Sequence, residues 1–149
     1  MGKLIWSQWG RLLAITSGFW TAWGGLWGIF YRKYFWDFVE GKLGPAGIIP
    51  GPSAAPFLAV IVDLPLVQGL CILTGLLTVA FEWPLFPNLF VYQSLVFKVI
   101  FYVHAGILSA LIYQSVDAAV FYFITILAYT VAISKGETVR GKGAGSDQV

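Results

Sequence analysis

The stretch "GLWGIFYRKYFW", residues 25–36, decides the fold class. It places Phe30, Tyr31, Tyr34, Phe35 and Trp36 around the Arg32–Lys33 pair. In water those rings would form a large adhesive patch. At the edge of a bilayer the same mixture is favourable, because aromatic rings settle at headgroup depth and the two cations stop the apolar segment from sliding further in. The stretch therefore reads as the exit of a membrane-spanning helix.

Composition points the same way. Of 149 residues, 58% are hydrophobic and only 11% are charged, and the mean hydropathy is +0.80. Soluble domains carry about 25% charged residues, so little of this chain is built to face water. At about 20 residues per span, four helices and their loops use the whole length, leaving no room for a soluble domain. The expected fold is all-α, a polytopic membrane protein with four transmembrane helices in a bundle. A net charge of +2, from scattered Lys and Arg, argues against nucleic-acid binding. Cys71 is the single cysteine, which excludes an internal disulfide and a cysteine zinc cluster. The opening residues run directly into an apolar segment too long for a signal-peptide core, so no cleavable leader is expected. Gly2 lacks the Ser or Thr that myristoylation needs where Trp6 stands.

The spans are read as residues 12–31, 57–81, 93–113 and 116–133. Trp6 and Trp9 share a helical face ahead of the first and suggest a short interfacial lead-in. Residues 32–56 form the one long loop. Its first part suits an interfacial helix, whereas Pro45, Pro50, Pro52 and Pro56 rule out regular structure in its second. The interfacial anchors are Trp6, Trp9, Arg32, Lys33, Trp36 and Trp83. Ser115 and Asp117 suit the start of the last helix. The glycine-rich tail 134–149 is expected to be disordered. With four spans, Lys3, Arg11, Lys98, Lys135, Arg140 and Lys142 can reach the side of the termini, against Arg32, Lys33 and Lys42 on the other. That bias places both termini in the cytosol.

Asp63, Gln68, Lys98 and His104 are the polar residues within the spans singled out as candidates. An acid there is a functional candidate by default, and Asp63 lies two residues before Pro65, where the missing N–H breaks the helix. It reads either as a proton or cation site or as a residue near the helix start at headgroup depth. His104 lies near the middle of the third span, at about the depth of Gln68, so the geometry allows contacts among His104, Gln68 and Asp63. One histidine without further ligands is poor metal chemistry, and structural hydrogen bonding is the plainer reading. Lys98 is expected to snorkel to the near interface and to meet Glu82. Gly18, Thr21, Gly24, Gly25 and Gly28 in the first span, with Gly106 in the third, let helix backbones approach closely. They serve either the protein's own bundle or a partner's helix.

The opening "MGKLIWSQWGRLLAITSGFW", with "YRKYFWDFV" after the first span, resembles a family of small fungal four-span integral membrane proteins with no assigned activity. The resemblance runs through all four spans and is most specific in the N-terminal MGKLIWS and the aromatic-basic block. It implies a fungal source and a non-enzymatic role, and it transfers no catalytic residue.

No nucleophile–base set, Walker loop, HExxH or paired-carboxylate motif occurs in the sequence, so catalysis, metals and cofactors are not expected. The expected function is a non-catalytic accessory or organising subunit of a larger membrane assembly in a plasma membrane or endomembrane. Its partners would be lipids and a larger polytopic protein such as a pump, synthase or channel, with homo-oligomerisation as a further option. The alternative is a small channel or transporter using Asp63, Gln68 and His104. A third reading is lipid handling by the loop 32–56.

Overall fold

The structure, a computed structural model, describes residues 4–31, 53, 56, 59–83 and 90–138. Its regular elements there are all helical: α1 (Trp6–Tyr31), a short π-helix (Ala59–Asp63), α2 (Leu66–Glu82), the single turn α3 (Phe90–Gln93), α4 (Leu95–Ala110), a 3₁₀ turn (Tyr113–Ser115) and α5 (Val116–Ser134). The long loop, its anchors Arg32, Lys33 and Trp36, and the end of the tail lie outside the described residues. Helix α1 packs between α2 and α5, α5 packs on α4, and α4 closes the ring against α2.

Why four helices settle into one bundle follows from their buried faces. In α4 these are Leu95, Lys98, Tyr102, Ala105 and Ser109, a strict alternation of three and four residues that makes a narrow seam. In α1 every buried residue is small: Ser7, Gly10, Ala14, Ser17, Gly18, Thr21, Gly24, Gly25 and Gly28. With no side chain between them the backbones meet. A Cβ on Gly75 of α2 would lie 2.5 Å from the Gly18 carbonyl and from the Ala22 amide, and one on Gly18 would lie 2.8 Å from the Gly75 carbonyl. Large residues of α1 therefore turn outward, and Phe19, Trp20, Trp23, Trp27 and Phe30 are all exposed.

Breaks in the helices have local causes. The expected span 57–81 divides at Leu64–Pro65: the Leu64 amide reaches back five residues to Ala59 at 2.8 Å, and Pro65 has no N–H to continue the ladder. The expected span 93–113 ends at Ala110, because Ile112 is extended, with φ −112° and ψ 131°. The lead-in around Trp6 and Trp9 is continuous with α1, the two rings packing edge to face at 5.8 Å. Ser94 caps α4 by accepting from the Phe97 amide at 3.2 Å. Helix α5 ends in a Schellman motif: the Gly136 amide donates to the Ile133 carbonyl and the Glu137 amide to the Ala132 carbonyl, with Gly136 at φ 67°.

Among the described residues, the segment Tyr113–Ser134, 22 residues of mean hydropathy 2.0, is long and apolar enough to cross a membrane, while Leu66–Glu82 and Leu95–Ala110 are apolar but shorter.

Candidate functional site

The bundle is polar on its axis. Glu82, the last residue of α2, is fully buried, and so is Lys98, whose Nζ lies 2.8 Å from Glu82 Oε2. The Tyr102 hydroxyl donates to Glu82 Oε1, and the Tyr129 hydroxyl donates to the same oxygen at 2.7 Å. Arg11 Nε donates to the Glu82 backbone carbonyl at 2.8 Å. Lys98 Nζ also stands 5.0 Å from the centre of the Tyr92 ring, in cation–π range. A buried carboxylate tolerates its loss of water only when paired and fully hydrogen-bonded, and Glu82 accepts from one ammonium and two phenols. Helix ends explain the convergence. The C-terminus of α2 and the N-terminus of α4 bring Glu82 and Lys98 together, and Tyr102 follows Lys98 by four residues on one face.

A cavity of about 390 Å³ opens onto this cluster at the end of the bundle where Ser7 and Glu137 lie, lined by Arg11, Glu82, Lys98, Tyr129 and Glu137 among others. Glu137 caps α1 there from the far end of the sequence. Its Oε1 accepts from the Trp6 amide at 3.2 Å and its Oε2 from the Ser7 amide at 2.8 Å. Partial desolvation pushes this carboxyl up, but the amides of Ser7 and Trp6 and the Lys135 charge outweigh it and hold Glu137 below the ordinary carboxylate range. Lys135 Nζ completes the clasp, 5.0 Å from the Trp6 ring centre.

A second group of buried hydroxyls lies further along the axis. The Tyr122 and Thr78 hydroxyls are 2.8 Å apart, and those of Thr21 and Ser109 are 3.1 Å apart. Ser115 Oγ donates to the Ser109 carbonyl at 2.8 Å. Gln114 Oε1 is buried and makes no hydrogen bond among the described residues. A second cavity, of about 360 Å³, lies beside it at the α4–α5 end, lined by Tyr113, Gln114, Asp117 and by Trp20, Trp23 and Trp27 of α1.

Asp63, Gln68 and His104 differ in exposure. Asp63 is exposed at the end of the π-helix, and His104 is exposed on α4 with Nδ1 2.8 Å from the Ile100 carbonyl. Gln68 alone is buried, against Gly28 of α1. Lys98 turns inward to Glu82 instead of snorkelling outward, because the bundle offers it a carboxylate. The small residues face the protein's own helices: Gly18 meets Gly75 and Thr78, Gly24 meets Gln114 and Ser115, Gly25 and Gly28 meet Gln68, and Gly106 faces Tyr122. Thr21 lies on the axis with Ser109. Trp83 is exposed, as is Trp9. Arg11, Tyr102, Tyr122 and Tyr129 escape a reading of the sequence alone. The four-residue spacing of Lys98 and Tyr102 is the one local signal, since Tyr129 lies 47 residues from Glu82. Among the described residues, His, Cys, Asp and Glu side chains form no group of three or more suited to a metal.

No curated protein and no solved structure matches the chain. A family model does match, over residues 1–137, and is described as a domain of unknown function, DUF7727. With that match covering nearly its whole length, the chain belongs to the DUF7727 family.

Proposed function

We propose that this chain is a four-span integral membrane protein, of fungal origin by its resemblance, that serves as a non-catalytic accessory or organising subunit of a larger membrane assembly. The observation that carries the reading is the inversion of polarity between core and surface. Ser17, Thr21, Gln68, Thr78, Glu82, Lys98, Ser109 and Thr125 are buried, while Leu12, Phe19, Leu73, Leu76, Ile100, Ile107, Val120 and Phe123 are exposed. In water that arrangement would be adverse throughout, since about 25 cal/mol is lost for each Å² of apolar surface left wet. In lipid it costs little, because acyl chains solvate the outer side chains and the bundle satisfies most of its own buried polar groups.

Length supports the same placement. Helix α1 has 26 residues, about 39 Å at 1.5 Å per residue, enough for a hydrocarbon core of about 30 Å. Helices α2 and α4 are shorter, and the π-helix and α3 extend them toward the interfaces. Since the glycine faces are filled from within, the docking surface for a larger polytopic partner is the outer ridge of α1, where Trp23 and Trp27 project. The alternative of a channel or transporter built on Asp63, Gln68 and His104 has less support, because Asp63 and His104 are exposed while Gln68 is buried.

Extraction from native membranes in a mild detergent, followed by mass spectrometry of what co-purifies, tests the subunit role. A stoichiometric polytopic partner is expected, lost from the Trp23→Ala, Trp27→Ala double variant while the bundle stays folded. Quantitative recovery of the wild-type chain alone would remove the reading.

A further inference from the structure

We propose that the cavity at the Ser7–Glu137 end of the bundle holds the phosphate of a phospholipid headgroup, taken by the Arg11 guanidinium with the Lys98 ammonium behind it. The proposal rests on the bilayer placement argued above and is independent of the subunit role.

Three observations carry it. The first is the balance of donors and acceptors on the cavity wall. Its cations are Arg11 and Lys98, and its acids are Glu82 and Glu137. The acids are spent. Glu82 accepts from the Lys98 ammonium and from the hydroxyls of Tyr102 and Tyr129, and Glu137 turns one oxygen to each of the first two amides of α1. The cations are not. A guanidinium carries five N–H donors and an ammonium three. Arg11 uses Nε, on the Glu82 carbonyl, and Lys98 donates to Glu82 Oε2. What this wall has to spare is donors, and what it lacks is an acceptor. With Nε engaged, the two Nη groups of Arg11 still form a fork that matches two oxygens of one phosphate.

The second observation is charge. Lys98 and Glu82 form an ion pair and offset each other, while Glu137 faces the positive N-terminus of α1. Arg11 is half-buried, and its hydrogen-bond partner is a backbone carbonyl that carries no net charge to offset its own. A phosphodiester brings the single negative charge that does. The third is depth. Trp9 is exposed one turn from Trp6, and Trp83, exposed, directly follows Glu82, so this end of the bundle carries the rings that settle among headgroups. Arg11 lies five residues beyond Trp6, about 7.5 Å along α1. A phosphate that meets it there belongs to a lipid already in the same leaflet. The cavity, about 390 Å³, falls within the range of sites that enclose a small ligand, about 300–1,000 Å³. Gln8 and Thr138, both exposed, stand on its wall with an amide and a hydroxyl.

The test uses the full chain, stripped of lipid in dodecyl maltoside and titrated with dioleoylphosphatidylglycerol or with dioleoylglycerol, which has the same tails and no phosphate. Native mass spectrometry counts the lipids bound. One phosphatidylglycerol per chain is expected, held at least tenfold tighter than dioleoylglycerol and not displaced by millimolar inorganic phosphate. Gln8→Glu, which adds an acid to the exposed part of the wall, should weaken phosphatidylglycerol at least tenfold while keeping helicity and melting temperature. Arg11→Gln should do the same, and Gln8→Glu decides alone if Arg11→Gln does not fold. Asp117→Asn, at the other end of the bundle, should bind like the wild type. Equal binding of the two lipids, in a chain that resists alkaline extraction from membranes, overturns the headgroup site alone. Undiminished binding by Gln8→Glu overturns it too. Displacement by inorganic phosphate overturns the lipid source and gives the site to a soluble phosphate. Recovery of the chain in the alkaline wash overturns the bilayer placement and the lipid source with it.

Discussion

Lys98 keeps its ammonium inside the bundle because the Glu82 carboxylate lies 2.8 Å away and two phenols share the same acid. Removing one partner strands the other. Glu82→Gln is expected to destabilise the protein by about 3–5 kcal/mol, the usual consequence of breaking a buried pair from one side. Adding Lys98→Met should recover most of that loss. Thermal unfolding in detergent reads both variants, and equal stability of the single and the double would contradict the buried pair. Tyr129→Phe deletes one hydrogen bond to the charged acid and should lose about 1.5–3 kcal/mol in the same assay. Arg11 acts at the same point through the backbone carbonyl, so its contribution is to hold the end of α2 against α1.

At the scale of elements, helix contact is set by where side chains are missing. Gly75→Ala puts a methyl 2.5 Å from the backbone of α1, whereas Gly69, on the same helix, has nothing within 4 Å of its added Cβ. Gly75→Ala should force α1 and α2 apart and lower the melting temperature. Gly69→Ala should be neutral or stabilising by about 0.8–1 kcal/mol, the gain in helix propensity. A comparable loss from both would mean that α1 and α2 do not meet at Gly75. The clasp at the other end of α1 is pH-dependent. Its carboxyl is held below the ordinary value of 4.5 in the folded state, so Glu137 contributes stability that is fully present above that value. The contribution disappears as pH falls through the lower, folded pKa. Glu137→Gln should therefore lower stability at neutral pH, change it little at acid pH below the folded pKa, and so flatten the acid limb of the stability profile.

For the whole molecule, the meeting of Glu137 with the Trp6 and Ser7 amides ties the start of α1 to the end of α5 on one face. If the chain crosses lipid four times, as proposed, both termini share a side, and the basic residues favour the cytosol. Glycosylation tags placed before residue 1 and after residue 149 should both remain unmodified in microsomes. Modification of one and not the other would require an odd number of crossings. Sugar on both would reverse the orientation without disturbing the bundle.

Composition and spacing were enough to establish that this chain is helical, because low charge and long apolar runs are local properties that need no knowledge of the fold. Ser94 before α4 and Pro65 before α2 act through their own backbone, so those boundaries are also local. The sequence reading placed Glu82 and Lys98 at facing helix ends, sixteen residues apart across one turn. What it left open was the use of the polar and small residues. Gly24 reads equally well as a docking face or a crossing point until Gln114 is seen against it, and of His104 and Gln68 only Gln68 is buried. Tyr129 reaches Glu82, and Thr21 reaches Ser109, only after helices far apart in the chain are brought side by side. Periodicity tells which residues share a face of one helix, but the rotation of that face toward a neighbour is set by close packing of all four. That is why the axial line of polar groups belongs to the tertiary structure alone.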